Sequence, residues 1–107
     1  MDVGAVLIEL KQDRLKQIND WQKELENRKI EAIETLKAEG VLIESWFYLN
    51  LEAKDYLIAY MRAHDIAKAQ QIGRSSTFEI DQVHKQFKTN WFKVYPAKLL
   101  LDLENKE

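Results

Sequence analysis

Apolar positions along the chain change period several times, and each change marks an element. The stretch "VGAVLIELK" is apolar nearly throughout and predicts a strand over Val3–Lys11. Asp13 then offers an N-cap for a long amphipathic helix reaching about Glu39. Leu15, Ile18, Trp21, Leu25, Ala32, Ile33 and Leu36 recur there at helical spacing, with charged residues between them. Gly40 stands where a left-handed C-cap is wanted. A second strand, Val41–Leu49, and a third, Tyr56–Arg62, flank a polar turn around Asn50–Asp55.

Beyond the hairpin, "HDIAKAQQIG" predicts a short helix capped by Asp65 and closed by Gly73. "SSTFEIDQVHKQFKTNWF" predicts another, with Ser76 and Glu79 spaced as a capping box. Ile80, Val83, Phe87 and Trp91 form its apolar stripe. The last strand is "YPAKLLLDL", with Pro96 near its start, where a missing N–H is tolerated. The order is β-α-β-β-α-β, which predicts an α+β, ferredoxin-like fold. Two right-handed crossovers place the helices on one face of a four-stranded antiparallel sheet and leave the other face bare.

Alternation divides each strand into two faces. Val41, Ile43, Ser45, Phe47 and Leu49 fall on one side of the second strand; Leu42, Glu44, Trp46 and Tyr48 fall on the other. A turn centred on Glu52 sets Tyr48 opposite Tyr56 and Glu44 opposite Tyr60. One face then carries Glu44, Trp46, Tyr48, Tyr56, Tyr60 and Arg62. So many rings do not sit in open water. A second copy of the chain would cover them, making a dimeric α+β barrel; the alternative puts this face beneath the helices.

Composition narrows the function classes. The 107 residues are 46% hydrophobic and 32% charged, which suits one globular domain spanning 1–107. There is no cysteine, which removes thiolate nucleophiles and cysteine metal sites. The net charge of −2 offers no basic face for nucleic acid. RNA-recognition modules share this strand order, but "KDYLIAYMR" lacks the glycines of their stacking motif. No run approaches a bilayer span, and "MDVGAVLIELKQ" lacks the basic start of a signal peptide. A cytoplasmic protein is expected.

"EGVLIESWFYL", "DYLIAYMRAHDI" and "IDQVHKQF" resemble a bacterial family of unknown function within the dimeric α+β barrel superfamily, over nearly the whole chain. Relatives of that fold include antibiotic-biosynthesis monooxygenases and haem-degrading monooxygenases, which work in a cleft between sheet and helices. The resemblance implies a homodimer and such a cleft. Haem-degrading members are similar in using an Asn, a Trp and a His; Trp46 and His84 match two of these, while the first strand has no Asn.

The candidate chemistry centres on Glu44. A carboxylate inside an apolar strand must be paired, protonated or at a wet pocket. It is either the structural partner of Tyr60 or Arg62, or a pocket acid or base. His84 sits beside the apolar stripe of its helix, as a hydrogen-bonded core histidine or a proton carrier. Asp81 and His84 are too few to hold a metal, and no cofactor is implied. Glu44 and His84 are thus the catalytic candidates, and Trp46, Tyr48, Tyr60, Arg62 and Trp91 the ligand-binding ones. The reading is a dimer holding a small planar molecule in an aromatic cleft. Its alternatives are a cofactor-free monooxygenase or isomerase, and a purely structural or interaction dimer.

Overall fold

The computed structural model of the protein describes residues 1–106. Its elements are β1 (Asp2–Leu10), α1 (Leu15–Asn27), α2 (Lys29–Glu39), β2 (Val41–Leu51), β3 (Lys54–Ala63), α3 (Ile66–Ser75), α4 (Glu79–Phe87) and β4 (Trp91–Pro96). The four strands form one antiparallel sheet in the order β2-β3-β1-β4. Because β1 and β2 are both antiparallel to β3, they run parallel to each other with β3 between them. By the same logic β3 and β4 flank β1. Each helical crossover therefore spans one intervening strand.

The helices all cover one face. Ile8, Leu57 and Ala63 on that face are almost wholly buried, and Ile18 and Trp21 of α1 with Phe87 of α4 close the main core over them. A second cluster joins Val41 and Ala63 to Ala69 of α3. The opposite face holds Phe47, Tyr56, Ile58, Tyr60 and Arg62, with no helix over it.

Several expected details hold. Gly40 closes α2 at φ 74°, its N–H reaching the carbonyls of Leu36 and Lys37. The Asp65 carboxylate accepts the Lys68 N–H at 3.0 Å and caps α3. Others are corrected. The single long helix is two, divided at Arg28, whose backbone leaves helical geometry (φ −116°, ψ 35°). After Ile18, Trp21 and Leu25, Arg28 falls at the next inward position, and its guanidinium pairs with Glu24, Glu31 and Glu79 of α4. Asp13 takes a left-handed φ of 59° and caps nothing; Arg14 stands at the N-cap.

Gly73 lies inside α3 instead of ending it, and a Cβ there would come within 3.6 Å of the Glu39 carboxylate. The Ser76–Glu79 capping box does not form. Ser76 Oγ instead accepts the Phe78 N–H at 3.1 Å and donates to Asp81. The last strand is "WFKVYP", not "YPAKLLLDL". Pro96 ends it, Ala97 donates one more bond to the Ala5 carbonyl, and residues 98–106 leave the sheet.

The hairpin register is also corrected. Glu52 and Ala53 alone make the turn, both at positive φ (52° and 63°). Tyr48 is thereby opposite Leu57, and Glu44 opposite Met61. The expected pairing is off by one residue, which in an antiparallel sheet exchanges the faces.

Candidate functional site

The one-residue shift divides the expected site between two faces. Trp46 and Tyr48 lie opposite Ala59 and Leu57, on the helix-covered side, and Glu44 lies opposite Met61 on that side too. Tyr60 and Arg62 lie opposite Ser45 and Ile43, on the open side. A bulge between Val41 and Ile43 restores Val41 to the covered face, where it packs against Ala63 and Ala69. The expected contacts of Glu44 with Tyr60 and Arg62 are therefore not made. Arg62 instead accompanies Tyr60 and forms an ion pair with Asp102 at 2.6 Å.

On the covered face an aromatic cluster gathers around Trp46. The Trp21 ring stacks on Phe87 at 4.0 Å between centroids and 8° between planes. Trp46 meets Trp21 edge-on at 5.1 Å. His84 approaches Trp46 at 5.5 Å and Trp91 at 6.4 Å, both edge-on. These are the offset and T-shaped geometries that ring quadrupoles favour. His84 and Trp91 thus join Trp46 as the sequence suggests. Trp21 and Phe87 also belong to the cluster; both were legible as stripe residues but not as parts of a site.

Two features set this cluster apart from ordinary packing. The indole N–H groups of Trp21, Trp46 and Trp91 are all buried; those of Trp21 and Trp91 have no acceptor among the described residues, while that of Trp46 faces the Glu44 carboxylate. Each such orphan costs on the order of 1–3 kcal/mol. In addition, burial and the nearby Lys88 cation push the His84 imidazole down to about 4, so it is neutral at pH 7.

Glu44 is accessible to solvent but crowded by protein. That crowding raises its pKa and Asp81 adds to the rise, while a hydrogen bond from the Trp46 indole and the Lys88 cation pull it down. Glu39, at the end of α2, is raised to about 7 by burial and then by Asp81 and Glu44. Three carboxylates thus face one another across α2, β2 and α4 with Lys88 near them. No group of three or more such side chains among the described residues is arranged to hold a metal ion. Glu39 was not expected here, and Asp81, considered only beside His84 as too sparse a metal pair, joins it through charge.

Beside the cluster, Ile18, Trp21, Leu25, Trp46, Tyr48 and Leu57 line an open cleft of about 270 Å³ between α1 and β2. Tyr48 spans its mouth, and its hydroxyl donates to Asp55 at 2.5 Å. Small-molecule pockets run from about 300 Å³ upward, so this cleft lies just below that range and has room for no more than one or two fused rings. Its walls are mainly apolar and aromatic, with Gln22 and Glu26 as polar members and the Trp21 and Trp46 rings on one side.

Residues 1–106 match the model of a family described as a family of unknown function, DUF6176. No curated protein matches the chain. No helix among the described residues is long and apolar enough to cross a membrane.

Proposed function

We propose that this chain, which belongs to the DUF6176 family of unknown function, is a homodimeric ferredoxin-like domain that holds a small planar molecule against Trp46. The ferredoxin-like reading is supported by the β-α-β-β-α-β order and by strand order β2-β3-β1-β4, in which both crossovers skip one strand. The homodimer is supported by surface. The chain exposes 7925 Å², where a compact monomer of its mass exposes about 6,200 Å². The excess, roughly 1,700 Å², is what one copy hides in an obligate homodimer.

The ligand reading rests on the buried indole donors, of which those of Trp21 and Trp91 are unpaired. A planar molecule carrying oxygen acceptors would stack on the rings and take up one or more of those N–H groups. Trp46, Tyr48 and Trp91 are its binding residues, with Trp21 added; Tyr60 and Arg62, on the other face, are left to the dimer. A second reading is a cofactor-free oxygenase or isomerase, favoured by Glu44, which is both water-accessible and shifted toward neutrality. There Glu44 and the neutral His84 would move the proton.

All three tryptophans of the chain lie in the cluster, so tryptophan emission, excited selectively over tyrosine, reports on this site alone. Menadione, planar with two carbonyl acceptors, is expected to quench it saturably. Trp46→Phe keeps a ring but removes a donor, and should weaken binding about tenfold. Absence of saturable quenching by menadione, by naphthoquinols and by phenolic ketones would leave the cluster as packing and sink the ligand reading.

A further inference from the structure

The C-terminal segment carries a run of exposed leucines. Leu99, Leu100, Leu101 and Leu103 are 53%, 88%, 71% and 81% exposed within the single chain. The path of this segment is nonetheless fixed. Ala97 donates to the Ala5 carbonyl at 3.0 Å, and Asp102 pairs with Arg62 at 2.6 Å. Ala5 is on β1 and Arg62 on β3, so the segment leaves the β4 edge and crosses β1. Arg62 points away from the helices, because its neighbour Ala63 is buried beneath them. The tail therefore crosses the open face, which also carries Ile43 (46% exposed), Phe47 (56%) and Tyr95 (39%).

We infer that this tail is a clamp for a second copy of the chain: its leucines pack on the partner's open sheet face, and the Arg62–Asp102 pair holds the strap in position to do so. The inference rests on the homodimer proposed above and names the element that secures it. A two-fold axis lets one patch made of tail and sheet serve both copies, so each tail finds an apolar surface without any other partner. The surface excess fits an occupant of this kind. Charge argues against a membrane: Lys98 and Lys106 are offset by Asp102 and Glu104, and no basic cluster accompanies the leucines.

Sedimentation equilibrium of the full chain from 0.5 to 200 μM tests the idea, alongside a variant carrying Leu99→Ser, Leu100→Ser, Leu101→Ser and Leu103→Ser. The wild type should give about twice 12.7 kDa. The variant should keep its circular dichroism while its dimer weakens about a hundredfold or more. A variant that dimerises as tightly as the wild type overturns the clamp and leaves the dimer standing. A wild type that stays monomeric at 200 μM removes both. Should the variant not fold, Leu100→Cys supplies a second measurement, because the chain has no other thiol to label. An environment-sensitive dye there should shift to the blue as the dimer forms; emission that ignores dimerisation overturns the clamp.

Discussion

Replacing His84 with Phe should change how stability depends on pH, and the size of that change follows from the site. Unfolded, an imidazole titrates near 6.5. In the folded chain, burial first and the Lys88 cation second hold His84 down to about 4. Between those values the unfolded chain binds more protons than the native one, so stability rises with pH across this window. The contribution is full above 6.5 and drains away as pH falls toward 4. Two and a half units amount to about 3 kcal/mol, of which about 2.5 is gone at pH 4.5. Phe keeps a ring among Trp46, Phe87 and Trp91 and carries no proton. Urea unfolding of both proteins at pH 8 and pH 4.5 supplies the test, because the offset between them should move by roughly 2 kcal/mol in favour of the variant on acidification. With only two histidines in the chain, His64→Gln identifies the His84 signal by NMR. Parallel pH curves for the two proteins, or an imidazole titrating near 6.5, would refute the buried neutral histidine.

Glu39 has the opposite sign. Its folded pKa of about 7 lies above the ordinary carboxylate value, so its stabilising contribution is present below about pH 4.5 and lost as pH rises through 7. Glu39→Gln should stabilise the protein at pH 8 by on the order of 1 kcal/mol, a figure reduced for the group's partial exposure, and by nothing near pH 4.5; equal gains at both pH values would contradict this. The hairpin offers a third prediction. Glu52 and Ala53 both sit at positive φ without the residues that tolerate it, and Glu52→Asn with Ala53→Gly should raise stability by about 1 kcal/mol. A lower melting temperature for that double variant would show that the turn is not strained.

The same turn explains what the sequence conceals. Asn-Gly or Asp-Gly would have announced a two-residue turn and fixed the register. "LEAK" announces nothing, and a turn centred on Glu52 itself, which shifts the pairing by one residue, matches aromatic residues across the strands just as well. That single residue moved Tyr60 and Arg62 away from Glu44. The last strand was misplaced for a related reason: "AKLLLDL" has the stronger strand composition, but Pro96 cannot continue the ladder and the run departs from the sheet. Where local chemistry decides, as at the Gly40 and Asp65 caps, the reading matched the structure. The neighbourhood of His84, Trp46 and Trp91 was legible because each lies on an apolar stripe or covered face. The carboxylate pair of Glu39 and Glu44 was not, since it depends on how the end of α2 folds back beside β2.

Strand order places β2 at the rim of the sheet, with only β3 beside it. Eleven residues long and largely apolar, it is the type of edge that recruits the same strand from another molecule and grows into a fibril. Glu44 breaks the apolar run near its middle, and the bulge at Val41–Ile43 bends the end of the strand out of register with any incoming copy. A charge in that position acts as a gatekeeper, and it is a conditional one, because its surroundings already favour the neutral form. Mild acid should therefore unlock this edge before it unfolds the domain. Thioflavin-positive growth that quickens on acidification in the wild type, and is already quick at neutral pH in Glu44→Gln, would mark β2 as the seam; growth indifferent to both would clear it.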